Sequence, residues 1–316
     1  MAVLVLMGLA AAALFSATWI VNRFLALEGG HWLWTAVIRY YYVLVLTAGV
    51  LLVWRGPAHL ARTLRLFLAR PLWWLAAGTM GAGVFYAGIC FSAAHAPGWV
   101  TAVAWQATIV ATPLVLRCFG LKVPLHGVLF GLLIVAGIGL VNFYLLRQGL
   151  PLEAVLLGAL PVLVSAFAYP VGNQMLNQAR HAPHATGLVA DPFSGLFLLA
   201  LGSLPFWAVL LLVLTPPPPT GGQFVGTFVV ALLSGFLATG LFLHARNGSS
   251  DPYRIAAVDA TQGGEVPCTL LAEVILLGAP LPGLAGWLGM ACVLIGLVGF
   301  VLRAEAPSAA PAPAPA

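Results

Sequence analysis

Long apolar runs, separated by short polar connections, occupy almost the whole chain. Ten of these runs are long enough to cross a membrane, since a spanning helix needs about 20 apolar residues. They are Ala2–Val21, Trp32–Trp54, Leu72–Phe91, Gly98–Leu116, Val123–Leu146, Leu152–Met175, Pro192–Leu214, Phe224–Ala245, Tyr253–Leu277 and Leu284–Leu302. The pattern predicts an all-α membrane protein with ten transmembrane helices.

The composition agrees with a chain that lies in lipid. Of the 316 residues, 62% are hydrophobic and only 7% are charged, and the mean hydropathy is +1.04. Soluble domains carry about 25% charged residues. The net charge of +5 could suggest a nucleic-acid partner, but the basic residues stand singly between apolar runs and form no stripe. We therefore expect membrane lipid as a partner, and no nucleic acid.

The positions of the basic residues predict an orientation. With the N-terminus inside, the basic residues of the outer segments are Arg23 and Arg147, and Arg39 lies within the second helix. The inner segments then hold all the others: Arg55, Arg62, Arg65, Arg70, Arg117, Lys122, Arg180, Arg246, Arg254 and Arg303. Because cytoplasmic loops are enriched in Lys and Arg, both termini are predicted to be cytoplasmic, in the bacterial inner membrane.

Short echoes suggest that the chain is built as two five-helix repeats, 1–150 and 151–302. Phe15-Ser16-Ala17 in the first helix resembles Val164-Ser165-Ala166 in the sixth, and the fifth and tenth helices share a weaker echo. Copies with five helices each must insert in opposite orientations, which is typical of alternating-access transporters. Alternatively, Ala/Gly/Val-rich helices resemble one another by composition alone. The remaining residues, 303–316, are rich in Ala and Pro and are predicted to be a disordered cytoplasmic tail.

Several local motifs, taken in order, resemble a known family. They are the segment 16–23 (SATWIVNR), 29–36 (GGHWLWTA) followed by Arg39-Tyr40, 96–100 (APGWV) with Trp105-Gln106, 168–174 (AYPVGNQ) and 256–265 (AAVDATQGGE). Together they resemble the multidrug-resistance efflux transporters of the drug/metabolite transporter (EamA-like) superfamily. The resemblance covers nearly everything except the tail.

This resemblance implies ten helices in two inverted repeats, a central cavity, and secondary transport of a small molecule without ATP. It does not imply a drug substrate. No nucleotide-binding loop, nucleophile elbow or metalloprotease motif occurs, so we expect no enzymatic activity and no cofactor. The alternative is a protein that binds or flips lipids without ion coupling. The oligomeric state, monomer or homodimer, is left open.

Most of the intramembrane acid lies in the ninth predicted helix. Charges inside a bilayer cost at least about 2.5 kcal/mol, so Asp259 and Glu265 are candidates for proton or ion coupling. Glu265 follows Gly263-Gly264 and precedes Pro267, whose missing N–H frees a backbone carbonyl. We therefore predict a hinge at these residues. Glu273, nearer the outer end, is predicted to cap a helix or to form a structural ion pair. Its predicted partner in that pair is Arg39, which could instead extend outward to the membrane surface.

The candidate substrate-binding residues are aromatic and amide side chains that lie inside apolar helices. Such aromatics can form a wall that binds cations, although aromatics near helix ends are more often interfacial anchors. Asn22 could bind substrate or instead end the first helix. The full set is Trp19, Asn22, Tyr86, Trp105, Gln106, Tyr169, Asn173, Gln174 and Gln262. His181 and His184 have an HxxH spacing, but we interpret them as solvated loop residues and predict no metal site.

Overall fold

We analysed a computed structural model, which describes residues 2–121, 128–180, 187–247 and 257–304. The described residues form helices and no strands. In chain order the helices are α1 (Ala2–Leu27), α2 (Trp32–Arg55), α3 (Pro57–Ala69), α4 (Pro71–His95), α5 (Gly98–Cys118), α6 (Val128–Arg147), α7 (Leu152–Arg180), α8 (Pro192–Leu214), α9 (221–247), α10 (Glu265–Leu277) and α11 (Leu284–Ala304).

Within the described residues, nine helices are long and apolar enough to cross a membrane. They are all of these helices except α3 and α10. The ninth predicted span begins among residues outside the described ranges. Its described part consists of helical residues 257–260, a 3₁₀ turn at Thr261–Gly264, and α10. The count of ten, the inverted repeats and the orientation therefore stay predictions. Residues 303 and 304, which were predicted to belong to the disordered tail, are helical and end α11. The disorder of residues 305–316, which lie outside the described ranges, stays a prediction.

The surface of the helical bundle is apolar, as lipid contact requires. Leucine and valine side chains such as Val53 and Leu72 are largely exposed. A soluble protein rarely leaves a large contiguous apolar area in water. In a bilayer the same surface faces acyl chains, so the exposed side chains need no other cover.

Glycines allow the helices to approach one another closely at several crossings. Gly81 of α4 lies against Gly172 of α7, and a Cβ on either glycine would overlap the opposite backbone or press tightly against it. Gly137 of α6 and Gly289 of α11 meet in the same way. Small residues of this kind let membrane helices pack backbone to backbone, where dispersion contacts and not the hydrophobic effect hold the helices together.

One helix, α3, was not predicted. The connection after α2 was expected to be a short basic loop, but Pro57–Ala69 is helical, with proline in its first turn. Its 13 residues are too few to span a bilayer. Thr63 and Leu66 are buried, whereas Arg62 and Arg65 are exposed. The helix is therefore amphipathic, and it packs against the end of the bundle where α2 ends and α4 begins.

Several helices depart from α geometry in their interiors. The π-helical stretches are Leu51–Arg55 in α2, Thr79–Val84 in α4 and Ala231–Ala238 in α9. In α5 the α-helix is interrupted by a turn at Gln106 and Ala107. Such irregularities are frequent at functional sites, because they re-aim side chains and free backbone groups. In this chain the π-helical stretches of α4 and α9 and the 3₁₀ turn adjoin the site described next.

Candidate functional site

A cavity of about 380 Å³ lies between α5, α9, α11 and the segment that leads into α10. Five of the predicted site residues line it: Trp105 and Gln106 from α5, and Asp259, Gln262 and Glu265 from the ninth predicted span. Its other walls are formed by Thr108, Ile109, Thr112, Pro113, Phe242, Leu297, Phe300 and Val301. The cavity is thus mostly apolar, with a few convergent polar groups, as is usual for small-molecule sites.

Glu265 is the buried acid of this cavity. Only 6% of its surface is exposed, and its Oε2 accepts a hydrogen bond of 3.0 Å from the Trp19 indole Nε1 of α1. No lysine, arginine or histidine in the described part of the chain forms an ion pair with it. A buried charge without a counter-charge is costly, so the carboxylate needs either a proton or a ligand to balance it.

The local backbone explains how Glu265 reaches the cavity. Thr261–Gly264 forms one 3₁₀ turn, and α10 begins directly at Glu265. Pro267 is tolerated there because the N–H groups of the first helical turn have no partner within the helix. The position at the helix start also favours a carboxylate, since the N-terminal end of the helix dipole is positive. The break lies where Gly263, Gly264 and Pro267 predicted a hinge; motion there stays a prediction.

Aromatic side chains connect Glu265 to the centre of the bundle. The Trp19 ring lies 6.2 Å from the Trp105 ring, centroid to centroid. Trp105 in turn lies 5.4 Å from Tyr169 of α7 and 5.2 Å from Phe85 of α4, and Phe85 contacts Tyr169 at 4.8 Å. The structure therefore brings three of the predicted aromatic residues into one cluster. Phe85, which the sequence did not single out, completes it.

A second polar cluster surrounds Arg39 of α2. The Asn22 amide and the Tyr86 hydroxyl are 3.0 Å apart and hydrogen bonded, and the Arg39 guanidinium lies 3.9 Å from the centroid of the Tyr86 ring. Ser234 of α9 accepts hydrogen bonds from Thr18, at 2.7 Å, and from Arg39 Nη2, at 3.5 Å. Asn22 lies inside α1 and does not end it, because the helix continues to Leu27.

The structure does not form the predicted ion pair between Arg39 and Glu273. Glu273 instead accepts hydrogen bonds from the backbone N–H groups of Gly98, at 2.7 Å, and Trp99, at 2.9 Å. These groups begin α5 and have no partner within the helix, so the carboxylate caps that helix and complements its dipole. The backbone N–H groups at the start of α5 thus compete with Arg39 for the Glu273 carboxylate. The residue types in the sequence do not show that these groups lie nearby.

The remaining predicted residues lie apart from the cavity. Gln174 is buried in α7 and Asn173 is half-buried beside it. Neither is among the residues that line the cavity in the described part of the chain. His181 and His184 lie outside the described residues. Thr18 and Ser234 were missed, since a single hydroxyl in an apolar helix gives no signal in the sequence.

Comparison with known proteins places this arrangement in a family. The family model described as "Putative multidrug resistance efflux transporter" matches residues 2–306. The chain belongs to this family. It is a family of transporters of small compounds and not of enzymes, and the transporter is accordingly a multi-pass membrane protein.

Two relatives are similar to the transporter over most of the chain. The transporter is 33% identical over 311 residues to "Uncharacterized protein YjlA" of Bacillus subtilis (strain 168), covering 93% of each chain. It is 31% identical over 274 residues to an "Uncharacterized 42.1 kDa protein" of Shouchella clausii, covering 82% of this chain and 69% of that protein. Neither description names a substrate.

A solved structure shares the fold. It is described as "Crystal structure of protein", and the match has a TM-score of 0.55 with 15% sequence identity. The superposition covers 95% of the transporter and 96% of the solved chain. At this identity the likeness concerns the path of the backbone alone, so the chemistry of the site has to be argued from the transporter's own residues.

Proposed function

We propose that the transporter is a proton-coupled secondary exporter of small organic compounds, which works by alternating access in the bacterial inner membrane. The cavity between α5, α9 and α11 holds the compound. Glu265 takes up and releases the proton, with Asp259 as a second acid in the same cavity. The two halves, 1–150 and 151–302, are the inverted repeats that move against each other.

One observation carries this proposal: a buried carboxylate lies in the wall of a cavity, away from any cation in the described residues. Glu265 has this position and is held by the Trp19 indole, which donates to the carboxylate in either protonation state. Inside a bilayer, ionisable groups of this kind mark proton and substrate pathways. Because the ionised form needs compensation, loss of the proton is favoured when the cavity admits water or a ligand, which links the proton to the transport cycle.

The interrupted helices around the cavity support the alternating-access part of the proposal. Gln106 lies at the interruption of α5 and lines the cavity, and the 3₁₀ turn before Glu265 lines it from the opposite element. Discontinuous helices near a central site are a recurring feature of transporters built from repeats. Two helices that already lack α geometry beside the cavity can change direction there with little loss of hydrogen bonding.

Transport by reconstituted protein tests the proposal. Compounds are first chosen as those that raise the melting temperature of the purified transporter. Their movement into proteoliposomes is then measured with and without an imposed pH gradient. We expect wild-type transport to respond to the gradient. The Glu265→Gln variant keeps an oxygen that accepts from Trp19 but has no proton to exchange, so its transport should no longer depend on pH.

Two further variants serve as controls. The dependence of transport on the pH gradient in Asp259→Asn shows whether the second acid of the cavity contributes to proton coupling. Glu28→Gln removes an exposed acid after α1 and should transport like the wild type. Gradient-driven transport that persists unchanged in Glu265→Gln would contradict the coupling role, and lipid movement without solute movement would favour the lipid-flipping alternative.

A further inference from the structure

Arg39 is a buried cation for which the described residues provide no acid. Its side chain lies on α2 in the interior of the bundle, and the residue is only 9% exposed. Two of its nitrogens, Nε and Nη1, are buried and have no hydrogen-bond partner, and the third makes one long contact, 3.5 Å, to Ser234. Buried charged groups are normally paired and fully hydrogen bonded. Arg39 therefore has capacity to bind a group that the described residues do not supply.

None of the acids in the described part of the chain forms an ion pair or hydrogen bond with the guanidinium of Arg39. Glu273 caps α5, Asp191 pairs with Arg55, and Glu265 accepts from Trp19. Glu28 and Glu153 are exposed at helix ends, and Asp259 lies in the cavity. The Tyr86 ring stabilises the cation through its π face, but a neutral ring cannot balance the charge.

The surroundings of Arg39 suit an organic ligand with an apolar body. Tyr40 stacks on Trp207 at 5.8 Å and meets Tyr86 edge-on at 5.6 Å, so an aromatic surface adjoins the guanidinium. The Ser234 hydroxyl, which accepts from Thr18, also contacts the guanidinium. Arginine is well matched to carboxylate and phosphate groups, because its N–H groups form strong charge-assisted hydrogen bonds with them.

The helices around Arg39 also contain irregular segments. Ser234 lies inside the π-helical stretch Ala231–Ala238 of α9, and Tyr86 follows the π-helical stretch Thr79–Val84 of α4. In the described conformation these two side chains close over the guanidinium. Segments with π geometry are strained and are frequently found at functional sites, so α4 and α9 are the elements that would separate from α2 to admit a ligand.

We propose that Arg39 binds the negatively charged group of the transported compound, so that the substrates of this transporter are small organic anions. The inference rests on the proposed transport function, because it assigns the substrate class of the compound that the cavity holds. Arg39 does not line that cavity. Its cluster adjoins the cavity through α1, because Thr18 and Asn22 of α1 lie in the cluster, and Trp19 of the same helix contacts Glu265. Glu265 then takes up and releases the proton, and Arg39 binds the anion. Transport of an anion moves negative charge, and exchange of a proton can balance that charge. The proposal therefore accounts for both the Arg39 guanidinium and the Glu265 carboxyl.

Binding to the purified transporter tests the substrate class without any gradient. The probes are matched in shape and differ in charge: benzoate and phenylphosphonate as anions, benzamide as a neutral compound, and benzylamine as a cation. We expect the anions, as a class, to raise the melting temperature of the wild type more than benzamide or benzylamine does. This comparison uses only the wild type, so it does not depend on how well any variant folds.

Variants then locate the effect. Arg39→Gln should weaken anion binding by about tenfold or more, since one charge-assisted hydrogen bond is worth about that factor, and Arg39→Lys should recover part of the affinity. Arg62→Gln, which removes an exposed arginine on α3, is the matched control and should bind like the wild type. Anions that stabilise the Arg39→Gln protein as strongly as the wild type would overturn the proposal.

The remaining outcomes separate this proposal from its neighbours. If no anion stabilises the wild type more than the neutral and cationic probes do, Arg39 is a structural residue and the proposal is wrong. A shift caused by phosphatidylglycerol in mixed micelles, but by no soluble anion, would contradict a soluble substrate. Anion binding is measured on the wild type without a gradient, whereas proton coupling is measured as transport under a pH gradient, so failure of proton coupling and failure of anion recognition give different results.

Discussion

Glu265 and Glu273 both lie on α10 and are both buried, yet they have different partners. Glu265 faces the cavity and accepts one hydrogen bond from an indole. Glu273 accepts two hydrogen bonds from the backbone at the start of α5. The carboxylate of Glu273 is therefore fully engaged in holding α10 against α5, whereas that of Glu265 has an oxygen left for a proton or a ligand. This difference separates a structural acid from a candidate coupling acid.

Replacement of Glu273 should therefore affect stability and leave coupling intact. In Glu273→Gln the charge and one of the two acceptor oxygens are lost, so one buried N–H at the start of α5 is left without its partner. We expect a loss of about 1–3 kcal/mol in stability, seen as a lower melting temperature in detergent, while the pH dependence of transport is retained. Glu28→Gln should melt like the wild type. An unchanged melting temperature in Glu273→Gln would show that the cap contributes nothing.

At the scale of single residues, the sequence identified the buried charged residues correctly, but it did not identify the partner of each. Charges and amides inside apolar helices are rare, so Glu265, Glu273 and Arg39 stood out at once. The partner of each depends on which neighbouring helix begins or ends beside it. For Glu273 that neighbour is the start of α5 at Gly98, a backbone site that no residue type marks. The sequence does not show that the start of α5 lies beside Glu273, and for this reason an ion pair with Arg39 was predicted.

Among the secondary-structure elements, the 3₁₀ turn that leads into α10 packs against two other helices, α1 and α11. Thr261 lies so close to Gly8 of α1 that a Cβ on the glycine would overlap its side chain. On the other side Gly263 packs against Leu297 of α11. The turn is therefore clamped between α1 and α11, and a displacement of either helix would be transmitted to Glu265, the residue that follows it.

The two glycines of this turn should respond differently to substitution. A Cβ on Gly263 would overlap the Leu297 side chain, whereas on Gly264 it would lie at an ordinary 3.4 Å from Ala12. We expect Gly263→Ala to lower stability by about 1–3 kcal/mol through overpacking, and Gly264→Ala to be tolerated or slightly stabilising, because alanine favours helix over glycine. Melting temperatures in detergent measure both. Equal losses in the two variants would contradict this packing.

A comparison of predicted and observed helix bounds shows which elements an apolar pattern can predict. The span Pro192–Leu214 was predicted to the residue, because Asp191 caps its start and a proline-rich segment follows its end. α3 was missed, since its apolar positions are too few for a span and its arginines resemble a basic loop. The π-helical stretches were not predicted either. They arise where neighbouring helices compete for space, which is a property of packing and not of the local sequence.

At the scale of the whole molecule, orientation depends on the ninth predicted helix. Residues 248–256 lie outside the described ranges, and nine spans are found in the described residues where ten are predicted for the chain. If the segment that ends in α10 crosses the membrane, both termini are cytoplasmic and the basic residues concentrate inside. If it does not, the two termini lie on opposite sides and α11 reverses direction. Inverted repeats of five helices each require the first arrangement.

Labelling of single cysteines decides between these arrangements. In a background without the native cysteines, Glu28→Cys and Gln148→Cys should react with an impermeant maleimide added outside intact cells, because both positions follow odd-numbered spans. Arg62→Cys on α3 and Ser308→Cys in the tail should react only after the membrane is opened. Reaction of Ser308→Cys from outside, with Arg62→Cys still protected, would mean nine crossings. That result would remove the inverted repeat and with it the alternating-access proposal, while the anion test on Arg39 would stand unaffected.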